Sequence, residues 1–147
     1  MNPFRSLRDY EVWIYSLPER FSAISRSTLL LAQRGRQLAE LTGEIIFPDG
    51  LRLVVYERLT WDAGELLIEG YGYEVWRGSE KLYWYDSQPH PADASLASTD
   101  PHHKHIPPDI KHHRVPAPGL SFDRPNLPLL IEEVERDLRI RIPDKTR

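Results

Sequence analysis

Apolar and polar residues alternate over two successive stretches of this chain, and that period of two commits much of the first half to strands, because neighbouring side chains of a strand leave it on opposite faces. Between Arg36 and Phe47, the residues Ala39, Leu41, Ile45 and Phe47 share one face, and Glu40, Thr42 and Glu44 share the other. Between Leu51 and Trp61, the face of Leu51, Leu53, Val55, Leu59 and Trp61 opposes that of Arg52, Arg58 and Thr60. Pro48-Asp49-Gly50 separates the two stretches and is built to close a hairpin, with Gly50 free to take positive φ. A second pair of strands is expected over Glu65–Arg77 and Lys81–Asp86, joined at Gly78-Ser79-Glu80, with an earlier strand over Ser25–Arg34. Gly70 and Gly72 do not form a phosphate loop, because no helix start follows them, and they read as a bulge or a close backbone approach.

Two helices flank these strands. Ser6–Leu17 carries Leu7, Tyr10, Ile14 and Leu17 at helical spacing, with Pro18 as the stop. Leu127–Arg139 carries Leu127, Leu130 or Ile131, Val134 and Leu138 as its apolar stripe, with Asn126 as the expected cap and Pro128 in the first turn. Glu132, Glu133, Glu135 and Asp137 read as its solvated face. The fold class is therefore α+β: an antiparallel meander of about five to six strands with a C-terminal helix and a shorter N-terminal helix packed on it.

The chain has 147 residues, the size of one domain, so residues 1–147 are read as a single unit. Within it, residues 87–125 form a histidine- and proline-rich functional loop, and residues 140–147 form a frayed basic tail. A net charge of -3 lacks the broad positive field of a nucleic-acid coat. The absence of cysteine excludes disulfides, thiolate zinc sites and thiol catalysis. No apolar run approaches the ~18 residues of a membrane span, and Met1–Tyr10 has no apolar signal region, so the expected location is the cytoplasm, without membrane contact.

The histidines carry the functional signal. All six fall between His90 and His113, within residues 87–128, which also hold nine of the thirteen prolines. They occur as Pro89-His90-Pro91, then Pro101-His102-His103-Lys104-His105, then Lys111-His112-His113-Arg114. Imidazole exchanges a proton near neutral pH, and a neighbouring ammonium can steady a phosphate, so such a cluster has the parts for acid–base cleavage of RNA by way of its own 2′-hydroxyl. The same rings with Asp86 or Asp100 could instead bind a divalent metal, although His-His-Lys-His is not a familiar ligand spacing and a lysine between ligands would repel the ion. An ordinary structural role, capping strands or meeting solvent, is the third reading. In an extended segment His103 and His105 face one way, with His102 and Lys104 facing the other.

Several other residues could take part. Lys104, Lys111 and Arg114 make the segment locally positive, and Arg34, Arg36, Arg52 and Arg58 could extend that patch. Tyr56, Tyr71, Tyr73, Trp76, Tyr83 and Trp84 could stack on bases, although burial is the commoner role for strand aromatics. Glu57 and Glu74 lie in otherwise apolar or aromatic strands and are candidates for inward carboxylates.

The tyrosine-rich strand ending in Tyr85-Asp86, followed by Pro89-His90-Pro91, Pro101-His102-His103-Lys104-His105 and a terminal helix, resembles the TumE-type toxin family of prokaryotic toxin–antitoxin modules. The resemblance covers roughly residues 25–138, including the Pro48-Asp49-Gly50 hairpin. It implies a toxin whose partner is a cognate helix-turn-helix antitoxin. Joined to the histidine chemistry, it points to metal-independent cleavage of RNA that needs no cofactor. In that scheme His105 and His103 serve as proton donor and acceptor, Lys104 steadies the phosphate and Asp86 orients one imidazole. His90 and His102 are next in line, with Glu57 a more distant alternative base. The rival is a non-catalytic module that binds a protein or nucleic acid through the same loop.

Overall fold

The computed structural model describes residues 2–87, 102–107, 114–117 and 119–141. The chain opens with a short 3-10 turn, Pro3–Arg5, and then helices α1 (Leu7–Tyr15) and α2 (Leu17–Arg20). Ser6 caps α1 by accepting from the Asp9 N–H at 3.1 Å. Strands β1 (Arg26–Ser27), β2 (Leu30–Gly35), β3 (Leu38–Ile46), β4 (Leu51–Thr60), β5 (Leu67–Arg77) and β6 (Glu80–Asp86) follow, then β7 (His103–His105), β8 (Arg114–Pro116) and α3 (Leu127–Arg141). All pair antiparallel in one sheet, in the spatial order β1, β3, β4, β5, β6, β7, β8, with β2 continuing the β1 edge along β3.

The α+β meander expected from the alternation is what forms, with one addition. The segment read as loop supplies two short strands of its own, β7 and β8, which extend the sheet beyond β6. In the first hairpin Asp49 and Gly50 take φ of 62° and 73°, so both central residues are left-handed, the turn that matches strand twist. At β5 the register shifts against β4 beside Gly70, so a bulge sits there, while Gly72 keeps regular register opposite Tyr56.

Both flanking helices cover the same sheet face. Tyr10, Trp13 and Ile14 of α1 are buried, as are Leu127, Leu130, Ile131, Val134 and Leu138 of α3. Fully burying a side chain of this size stabilises by about 1.5–3 kcal/mol, so the two stripes hold the helices to the sheet. Asn126 does not cap α3 with its side chain. Its Oδ1 accepts from the Ser121 N–H at 2.8 Å and its Nδ2 donates to the Tyr73 hydroxyl at 3.1 Å, leaving only its carbonyl to accept from Leu130.

The solvated reading of α3 also needs correction. Glu133 accepts from the Tyr85 hydroxyl at 2.8 Å, and Asp137 from the Tyr83 hydroxyl at 3.3 Å, so both acids turn toward the sheet. Burial, and after it the nearby Glu133 carboxylate, raises both tyrosine pKa values.

Candidate functional site around Asp86

The register of the last strands places the site. Asp86 of β6 stands opposite His103 of β7, and Trp84 stands opposite His105, so these four side chains share the sheet face away from the helices. The His103 Nε2 pairs with Asp86 Oδ1, and the His105 Nε2 lies 3.3 Å from Asp86 Oδ2. One carboxylate thus meets two imidazoles, whose ring centroids are 5.0 Å apart. The Trp84 ring stacks on His105 with centroids 3.9 Å apart. The His103 and His105 side chains are 0% and 1% exposed and Asp86 is 17% exposed, so the cluster meets solvent from the carboxylate side.

Lys104 lies on the opposite face. It stands across from Tyr85, and its Nζ is 3.4 Å from Glu133 of α3 and 4.3 Å from the centroid of the Tyr83 ring. The expectation that Lys104 steadies a phosphate beside His103 and His105 therefore loses its geometric basis, because the sheet separates them. The objection to a metal falls for the same reason, since the ammonium does not project between the imidazoles. Asp86, His103 and His105 each offer a ligand atom, and those three atoms lie within 4.8 Å of one another.

His102 lies apart from the pair. Its Nδ1 is 2.6 Å from the Tyr71 hydroxyl, and the Phe122 ring packs on it with centroids 4.4 Å apart. Burial, and secondly the charge of His103, lowers the His102 pKa, while burial and secondly Asp86 raise that of Tyr71. His90, Lys111, His112 and His113 lie outside the described residues.

Glu57 is inward, as its place in an apolar strand suggests. It is fully buried and accepts from the hydroxyls of Tyr10, at 2.5 Å, and Tyr73. Burial raises its pKa, against the lowering effect of the two hydroxyls. Its surroundings are core on every side, which removes it from contact with a substrate.

Three of the four arginines expected to widen a basic patch are held by acids: Arg34 by Glu40, Arg52 by Glu44 and Arg58 by Glu69. Tyr71 and Tyr73 are core. Trp76 lies under the Arg52 guanidinium and the Lys81 ammonium rather than open to a base. Sequence reasoning missed Tyr71 and Glu133 as the partners of His102 and Lys104. The available signal was the spacing of Glu133 and Asp137, four apart on α3 and each one residue before a buried apolar position, Val134 and Leu138.

The model of a family described as Toxin TumE matches residues 15–138, most of the chain. The chain belongs to the TumE toxin family. No curated protein and no solved structure matches it. Membership makes the chain the toxin of a toxin–antitoxin module and implies a cognate antitoxin as partner. No helix among the described residues is long and apolar enough to cross a membrane.

Proposed function

We propose that this TumE-family toxin arrests growth by cleaving RNA without a metal, through the Asp86, His103 and His105 cluster. One imidazole takes the proton of a ribose 2′-hydroxyl, whose oxygen attacks the adjacent phosphorus. The other gives a proton to the departing 5′-oxygen, leaving a 2′,3′-cyclic phosphate and a free 5′-hydroxyl. Asp86 orients the rings and stabilises the imidazolium that forms, as a carboxylate does beside a catalytic histidine. The single observation that carries this reading is the convergence of both imidazoles on one carboxylate. Lys104 has a supporting task instead, tying β7 to α3 through Glu133. The partner in this reading is a small helix-turn-helix antitoxin, the workplace is the cytoplasm, and His90 remains a candidate auxiliary.

The test is replacement of single residues in cells and in purified protein. His103→Ala and His105→Ala each lower the cleavage rate by about 10²–10⁴-fold, the usual worth of a positioned acid or base, and abolish growth arrest. Lys104→Ala keeps cleavage and loses only about 1 kcal/mol of stability. Sequencing the RNA ends reads the 2′,3′-cyclic phosphate directly. Growth arrest by both histidine variants, with cellular RNA intact, would establish the non-catalytic binding module instead.

A further inference from the structure

We infer that Asp86, His103 and His105 also form a binding site for a divalent transition ion, zinc above all, and that an occupied site is catalytically silent. The second half rests on the acid–base reading above; the first does not. Two imidazole nitrogens and a carboxylate oxygen are the donor types that zinc takes, at about 2.0–2.2 Å each, with a fourth position left for water. Their mutual separations, all within 4.8 Å, match a shared ion after small side-chain rotations. The backbone needs no rearrangement, because the β6–β7 register already sets His103 opposite Asp86 and His105 one pleat along.

Three features favour the ion over chance proximity. The nearest lysine in sequence, Lys104, is held across the sheet by Glu133, so its ammonium does not compete at the cluster. The histidines are buried and Asp86 is partly exposed, which gives hard-to-hydrate nitrogen ligands at the back and an open carboxylate at the mouth. The Trp84 ring against His105 restrains that imidazole in place.

The consequence for chemistry is direct. An imidazole nitrogen that gives its lone pair to zinc cannot accept a proton from a 2′-hydroxyl, and a carboxylate bound to the ion no longer orients a free ring. Zinc availability would then set how much of the toxin is active, independently of the antitoxin.

The experiment uses the full-length protein stripped with EDTA and titrated with zinc chloride by calorimetry. The expected result is one zinc per chain, with binding weakened at least tenfold in His105→Ala and in Asp86→Asn. Because His103→Ala sits in the buried pair and could unfold the domain, the wild-type protein is also loaded with cobalt(II). Visible bands of four-coordinate cobalt with nitrogen and oxygen ligands support the site; an octahedral aquo spectrum overturns it. Affinity unchanged in both variants overturns it as well. RNA cleavage is then followed with rising zinc: loss in step with occupancy, reversed by EDTA, supports the silent state. Cleavage that needs zinc overturns it. Zinc bound as expected, with no cleavage at any metal level, leaves the site standing and sinks the ribonuclease reading alone.

Discussion

Glu57 is the residue whose environment makes the sharpest stability prediction. Its folded pKa lies above that of an unfolded glutamate because burial disfavours the charge. A raised folded value means that its favourable contribution is complete below the usual carboxylate range, near pH ~4.5, and is lost as pH rises through the folded value. Denaturant unfolding at a series of pH values should therefore show wild type losing stability relative to Glu57→Gln as pH climbs, by about 1.4 kcal/mol per unit of pKa displacement. Glu57→Leu behaves differently, since it strands the buried hydroxyls of Tyr10 and Tyr73 at about 1–3 kcal/mol each. At this scale the site was half legible. Six histidines gathered in one short region announced chemistry, and alternation separated His103 and His105 from Lys104 in advance. The division of partners was not legible, because Glu133 and Tyr71 meet their histidine-block neighbours only through tertiary packing.

The long strands were legible as elements because each spans several periods of the alternation and ends at a turn with its own signature. β7 and β8 were not: three residues hold no measurable period, and prolines on either side read as loop. The edge strand carries a further device. Gly43 sits at φ 129°, and a Cβ built there would lie 2.6 Å from the Thr28 carbonyl oxygen, where β1 gives way to β2. That is why the edge is split into two pieces against an unbroken β3. Gly43→Ala must push the edge backbone away, and we expect a loss of more than about 1 kcal/mol. Hydrogen exchange should show the opening confined at first to residues 25–35, with β4 and β5 still protected.

Over the whole molecule, the two layers are joined by polar as well as apolar contacts. Tyr10 of α1, Glu57 of β4, Tyr73 of β5 and Asn126 before α3 form one buried hydrogen-bonded chain. Removing residues 1–20 would strip Phe4, Tyr10, Ile14 and Leu17 from the core and leave the Glu57 carboxyl short of a donor. We expect the truncated chain to lose its cooperative thermal transition, as followed by circular dichroism, rather than to survive as a smaller domain. The apparent appendage at the start of the chain is thus part of the same cooperative unit as the sheet that carries the histidines.

The three-residue length of β7 has its own consequence. A slip of one position against β6 would carry the Lys104 ammonium round to Asp86 and turn both neighbouring imidazoles toward Glu133. Such a misaligned isomer would keep nearly all its backbone pairing while exchanging the occupants of its two sides. The Lys104–Glu133 contact therefore favours the correct alignment, and the pairing of Asp86 with both imidazoles keeps it when that contact is lost.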